Sequence, residues 1–259
     1  MGHIVRTKLY FSAFSVLAAS VLIAGSVAAQ PASSSYQLTG EVGAAVYGTQ
    51  SLIRGKNNEA TVLPYLFADY GRFFARVDTF GIKTLPIGNG YLELVGRVSQ
   101  EGWRANSAPL GGLTDRKRPV PIGIGTFQQT PYGAFIVNAF VDAGSSGGSL
   151  LEATYAAEVK LGSLSLYPQL GVERRSAKYA NYLYGVTPTE SVASGYAVYN
   201  AGASITPVLG LAADYSLTEN WIVNLQLRRK WQDSAVTNSP LVVRKTNDTA
   251  YMGLSYRFK

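Results

Sequence analysis

The end of the chain carries a strict alternation of residue types that constrains its fold more than any other feature. Ala250, Met252, Leu254, Tyr256 and Phe258 alternate with Thr249, Tyr251, Gly253, Ser255 and Arg257. A period of two places these sets on opposite faces of one β-strand, and aromatic residues end the apolar face. A lipid-facing strand of a membrane barrel has this pattern, and so does a strand of a soluble sandwich. This strand alone therefore leaves both all-β architectures open.

The other end of the chain has the three parts of a secretory signal peptide. Residues 1–29 contain a basic start, an apolar stretch over residues 9–23 and a small-residue exit at Val27, Ala28 and Ala29. An uncleaved membrane helix is the alternative, but serines and a glycine interrupt the apolar stretch. We expect residues 1–29 to be a cleaved signal peptide, residues 30–35 a periplasmic leader and residues 36–258 an all-β domain. No later segment approaches the roughly 18 apolar residues that a spanning helix needs.

Histidine and cysteine are nearly absent, which limits the chemistry of the exported chain. The 259 residues include one histidine, His3 in the predicted signal, and no cysteine. Disulfides, thiolate metal sites and Ser-His, Cys-His or His-metal chemistry are therefore excluded after cleavage. Glu152 and Glu158 lie roughly 20 Å apart along an extended strand, too far for glycoside hydrolysis, although carboxylates on neighbouring strands could still meet. We predict no enzyme activity, no catalytic, cofactor-binding or metal site, and no cofactor.

Alternating segments of about ten residues recur through the chain, which is enough to cross a bilayer core when the strand is tilted. Short turns near residues 88, 129, 162 and 218 alternate with longer loops at 102–118, 143–149, 177–200 and 232–247. Together with the signal peptide, this favours a transmembrane antiparallel up-and-down β-barrel in the outer membrane, with its long loops external. Both chain ends would then be periplasmic, so the strand number must be even. One long bent strand over residues 61–83 gives ten strands, which we favour, and a missed strand gives twelve.

Charged residues fall repeatedly on the face opposite Leu, Val and Tyr. They are Glu93, Arg97, Glu152, Glu158, Glu173, Arg175, Arg228 and Arg257. The polar face of a barrel turns inward, where opposite charges can pair, and a barrel with few strands is largely filled by side chains. We predict a lumen charge network of Glu93, Arg97, Glu158, Glu173, Arg175 and Arg228. A narrow solute channel lined by these residues is the alternative.

Basic residues also cluster in the loops that we place outside the cell. The candidates for contact with an external anionic ligand, such as the phosphates of lipopolysaccharide, are Arg116, Lys117, Arg118, Arg244 and Lys245. Such contacts would be screened by salt. The alternative is that these residues are solvated charges that keep the loops soluble. Nucleic-acid binding is not expected, because the positive charge is scattered and no recognition motif is present.

One external loop carries the signals of a helix. Thr187 can cap its N-terminus, Pro188 occupies the first helical position, Glu190 completes a capping box and Gly195 can end the helix. This spacing predicts a helix of about two turns. Its simplest role is to order a long loop.

Three sequence elements, taken in order, carry a family resemblance. They are Tyr70-Gly71-Arg72-Phe73-Phe74, Tyr184-Gly185-Val186-Thr187-Pro188 and Leu254-Ser255-Tyr256-Arg257-Phe258. In order and spacing they resemble the MltA-interacting protein (MipA)/OmpV family of Gram-negative outer-membrane proteins. The resemblance implies an outer-membrane barrel without a shared catalytic motif. It also implies a scaffold that joins a murein hydrolase to a murein synthase in peptidoglycan synthesis; a surface binding or adhesion protein is the alternative.

Overall fold

The computed structural model describes residues 37–258, so the predicted signal peptide and leader lie outside the described residues. The strands within residues 37–258 form one antiparallel sheet. Its strands are Leu38–Thr49 (β1), Glu59–Tyr70 (β2), Phe73–Arg76 (β3), Thr79–Ile87 (β4), Gly90–Arg97 (β5), Pro121–Thr130 (β6), Gly133–Asp142 (β7), Ser149–Ala157 (β8), Val159–Leu161 (β9), Leu164–Arg175 (β10), Ser204–Ser216 (β11), Trp221–Trp231 (β12) and Thr246–Phe258 (β13).

The sheet closes on itself to make a barrel. Strand β13 returns to pair with β1, with Phe258 opposite Gly40. Both β8 and β9 pair with β10, and only Glu158 separates them, so they are two segments of one strand. The described residues therefore form a closed barrel of twelve strands. The predicted barrel is confirmed, the preference for ten strands was wrong and the alternative of twelve is correct.

The error arose in residues 61–83, which are not one bent strand. Strand β2 ends at Tyr70, β3 has only four residues, and a turn at Val77 and Asp78 leads into β4. Val77 has a φ of 59°. A β-branched residue rarely adopts this left-handed conformation, so its residue type gives no signal of a turn. The sequence pattern therefore merged the short hairpin of β3 and β4 with the strand before it.

The two faces of the wall differ as the alternation predicts. Outward-facing Val62 and Met252 are 72% and 61% exposed, whereas inward-facing Asn224 and Ser255 are fully buried. Such exposed apolar rows are stable where hydrocarbon covers them. Strands β1 and β13 begin and end at the short-turn end, and the rule for outer-membrane barrels places the long loops outside. Within residues 37–258 no helix has both the length and the apolar character to cross a membrane.

Short helices lie in the long loops: Ala108–Leu110 (a 3₁₀ turn), Ala177–Tyr184 (α1), Pro188–Ser194 (α2) and Ser234–Thr237 (α3). Helix α2 confirms the prediction. The Glu190 N–H donates to the Thr187 hydroxyl at 3.2 Å, the Thr187 N–H donates to the Glu190 carboxylate at 3.0 Å, and Gly195 ends the helix at a φ of 78°. Helix α1 was not predicted, although Ser176 caps it by accepting the Tyr179 N–H.

Candidate functional site

The first lumen cluster consists of Arg76, Glu93, Arg97 and Glu152. Arg76 donates two hydrogen bonds to Glu93, at 2.9 and 2.8 Å, and Arg97 pairs with Glu152 at 2.5 Å. The Glu93 side chain is 2% exposed. The Arg76 guanidinium also lies 4.0 Å from the centroid of the Phe74 ring, a cation–π contact. These inward side chains fill the lumen between β3 and β8.

The second lumen cluster consists of Glu101, Glu173, Arg175 and Lys230. Arg175 contacts Glu101 at 2.6 Å and Glu173 at 3.0 Å, and Lys230 contacts Glu173 at 2.5 Å. Two acids face two bases, so the buried charges balance. Glu101 belongs to the loop after β5, and the cluster therefore attaches that loop to the far wall. Burial opposes ionisation of Glu101, but Arg175 beside it keeps the pKa of this carboxyl below its ordinary value.

The third lumen cluster lies toward the short-turn end and consists of Glu41, Asn224, Ser255 and Arg257. Glu41 accepts from Arg257 at 2.6 Å, from Ser255 at 2.8 Å and from Asn224 at 3.4 Å. Asn224 and Ser255 are fully buried, whereas the Arg257 side chain is 41% exposed. This cluster lies just inside the periplasmic mouth and borders its recess.

The predicted network residues are distributed unevenly over these clusters. Glu93, Arg97, Glu173 and Arg175 lie in them, and Arg228 donates to Gln169 at 3.3 Å beside them. Glu158 lies outside the clusters, because it is at the break between β8 and β9, where it lies 3.3 Å from exposed Lys160. The predicted network left out the other cluster members, which are Arg76, Glu152, Glu101, Lys230, Glu41, Asn224, Ser255 and Arg257. Alternation marks most of these as inward, but Glu101 lies in a loop where no periodic signal exists.

The external cap consists of the loops at 50–58, 98–120, 176–203 and 232–245. Its apolar centre is made of side chains that are at most 2% exposed: Leu110, Tyr179, Leu183, Val236 and Leu241. The Trp103 ring N–H donates to the Leu183 carbonyl at 3.1 Å and joins two of these loops. Burial, together with nearby Glu101, raises the pKa of the Tyr179 hydroxyl. The external loops thus pack on one another and cover the external end of the barrel.

A buried ion pair between Arg116 and Glu190 also joins two loops of the cap. Arg116 donates to the two Glu190 oxygens at 2.9 and 3.0 Å, and the two side chains are 8% and 6% exposed. The Thr114 N–H also donates to Glu190, at 2.9 Å. Burial alone would favour the neutral acid, but Arg116 and the N–H groups of Thr187 and Thr114 lower the pKa of Glu190 to about 2. Arg116 is therefore buried inside the cap, where it pairs with Glu190.

The other candidate anion contacts remain on the surface. Lys117 and Arg118 are exposed, and neither makes an ion pair with another described residue. Arg244 and Lys245 are exposed on the loop between β12 and β13. The structure thus separates two exposed basic pairs on different loops.

Recesses on the surface of residues 37–258 include a groove on the outer wall and a recess at the mouth. An apolar groove of about 770 Å³ runs over the outer wall of β3 to β7, and a recess of about 520 Å³ lies at the periplasmic mouth. The mouth recess is lined by Gln37, Thr39, Gly40, Glu41, Phe67, Arg257 and Phe258. Across residues 37–258, no group of three or more Asp and Glu residues is arranged to hold a metal ion.

Comparison with known proteins gives a consistent family match. The family model described as MltA-interacting protein MipA matches residues 42–258. The chain is 24% identical to YiaT of Escherichia coli K12, whose name refers to the outer membrane, over 84% of this chain and 90% of that protein. It is 30% identical to the MltA-interacting protein of Escherichia coli K12, over 56% of this chain and 59% of that protein.

A solved structure provides a more distant comparison. The crystal structure of Neisserial surface protein A aligns over 85% of this chain and 97% of that chain, with 11% identity and a TM-score of 0.29. This likeness is too remote to bear on function.

Proposed function

The chain belongs to the MltA-interacting protein family, and we propose that it is a non-enzymatic outer-membrane barrel that holds a murein enzyme at its periplasmic mouth. The observation that carries this proposal is the filled barrel. Paired charges occupy the lumen and the cap covers the external end, which leaves the rims and outer surfaces for contact with partners. The name of the relative that interacts with MltA supplies the class of partner.

The periplasmic mouth has the chemistry of a small docking site. Phe67 is 44% exposed there, beside the ion pair of Glu41 and Arg257. An apolar side chain of a partner can pack on Phe67 while polar groups beside it meet Glu41 and Arg257. The neighbouring turns are short, so the contact is small in area and typical of a transient interface.

Photo-cross-linking in intact cells tests this proposal. A photoreactive amino acid at exposed Thr39, on the rim of the mouth, is expected to capture a murein hydrolase or synthase. The matched control places the same amino acid at exposed Lys245 on the external side, where no murein enzyme is expected. Identical adducts from both positions, or no periplasmic protein attached at Thr39, would overturn the proposal.

A further inference from the structure

The short hairpin of β3 and β4 leaves a notch in the half of the barrel wall that is nearer the external loops. Strand β2 has twelve residues, but β3 pairs only with Phe67–Tyr70. One further bond joins the Val77 N–H to the Leu66 carbonyl at 2.8 Å. Beyond it, no strand in the described part of the chain pairs with residues 59–65 on this side. We call this opening the notch; its borders are residues 59–65, 77–78 and 98–101.

The edge of β2 in the notch has an unusual pattern of hydrogen-bonding groups. Backbone groups of alternate residues point to the same side of a strand. Because the Leu66 carbonyl points toward Val77, the backbone groups of Pro64, Val62 and Ala60 face the notch. Their carbonyls and the N–H groups of Val62 and Ala60 need a partner in the hydrocarbon region. Pro64 has no N–H, and a strand added from another protein would lose a bond there. The edge is therefore a poor template for strand addition.

The apolar groove on the outer wall adjoins the notch on its periplasmic side, next to residues 77–78. It is lined chiefly by outward-facing Phe80, Ile82, Leu94, Ile122, Ile124 and Val141. Gly96 lets the Phe80 ring lie close against the wall, since a Cβ on Gly96 would lie 2.9 Å from that ring. The groove thus offers apolar side chains to an acyl chain that lies along the barrel.

Exposed cations lie in the loops at the external end of the groove. They are Arg54 in the loop at 50–58 and Arg104, Lys117 and Arg118 in the loop at 98–120. The exposed acids near them are Asp115, whose carboxylate accepts the Ala105 N–H at 2.7 Å, and Glu59 and Asp78 on the borders of the notch, so four exposed cations face three exposed acids. The local charge is therefore positive, and it complements a phosphate at the level of the lipid headgroups.

We propose that the notch and the groove together bind one molecule of a phosphorylated, multiply acylated glycolipid of the outer leaflet. Its phosphates contact Lys117 and Arg118, and its acyl chains occupy the groove. Amide and hydroxyl groups near the headgroup of this lipid form hydrogen bonds with the free backbone groups of β2. A plain hydrocarbon chain cannot form these bonds. This site lies at the end opposite the periplasmic mouth, so it does not depend on the proposed murein partner.

Native mass spectrometry of the refolded barrel with hexa-acylated lipid A tests this site. One bound lipid per barrel is expected. Replacing both cations (Lys117→Ser with Arg118→Ser) is expected to weaken binding about tenfold, a change of about 1.4 kcal/mol. The variant Ile122→Trp fills the groove from its lipid-facing side and is expected to weaken binding to a similar extent. Added salt is expected to weaken binding to the wild type, because exposed charges are screened.

The matched control removes an equal charge from another external loop, with Arg244→Ser and Lys245→Ser. This pair is expected to leave lipid A binding unchanged, and a heat-modifiable gel shift verifies that every variant is folded. Equal losses from both basic pairs, absence of a saturable one-to-one complex, or equally tight binding of phosphatidylglycerol or inorganic phosphate would overturn the proposal. A complex in which a second protein chain, and not the lipid, is bound to the barrel would also overturn the proposal.

Discussion

At the residue scale, neighbouring residues of like charge have different roles in this barrel. Arg116 is buried against Glu190, whereas Lys117 and Arg118 point into solvent. A buried ion pair is costly to break because the remaining charge is left uncompensated. Glu190 also accepts from N–H groups of two loops, so this carboxylate is one of the main contacts that join the cap loops.

Replacing the carboxylate, Glu190→Gln, is expected to destabilise the cap by about 3 kcal/mol, because Arg116 then lies buried without a counter-charge. Hydrogen exchange should increase in residues 98–120 and 176–203 but not in the barrel strands. The control is Asp248→Asn, which breaks an ion pair with Arg229 whose side chains are 54% and 30% exposed. That pair is expected to contribute little to stability, because solvent screens exposed charges. Equal exchange in both variants would argue against the assigned role of Glu190.

Acid is expected to open the cap. The pKa of Glu190 is lowered from 4.5 to about 2, so its contribution to stability is complete above pH 4.5 and is lost as the pH falls toward 2. The pKa of Glu101 is also lowered, so protonation of this carboxylate in acid destabilises the cap as well. The protection factors of the cap loops, which correct for the slower intrinsic exchange in acid, should fall as the pH is lowered in steps from neutral into this range. Glu190→Gln should flatten the dependence, and an acid-induced gain in protection would contradict the assignment.

At the element scale, the sequence predicted regular features and missed irregular ones. Alternation located the long strands, and the Thr187–Glu190 capping box located α2, because both signals are local. Val77 gave no warning of its turn, since its backbone conformation is imposed by the pairing of β3 with β4. Glu101 was missed because its partner Arg175 is distant in sequence. Local patterns predict elements, whereas contacts between loops and wall depend on the closed barrel.

Pro64 is expected to prevent association through the free edge of β2. Pro64→Val adds an N–H to that edge and should promote dimers, detectable by light scattering in detergent. The control is Pro168→Val, because Pro168 lies within β10, opposite Leu211 of β11, away from the free edge. Dimers in both variants, or in neither, would show that Pro64 does not guard this edge.

At the scale of the whole molecule, lipid-facing apolar rows surround an interior that is filled by charge pairs. Lumen clusters lie at several levels between the external cap and the periplasmic mouth, and each sets acids against bases or polar donors. Side chains that pair across a narrow lumen obstruct the path that a solute would take. The molecule is therefore expected to act through its mouth, its loops and its outer wall.

Single-channel recording in planar bilayers tests this central claim most directly. The folded wild-type barrel is expected to insert without steady conductance steps, because paired side chains fill the lumen and the cap covers its external end. Stable, reproducible steps from the wild-type protein would show a continuous aqueous path and contradict the account.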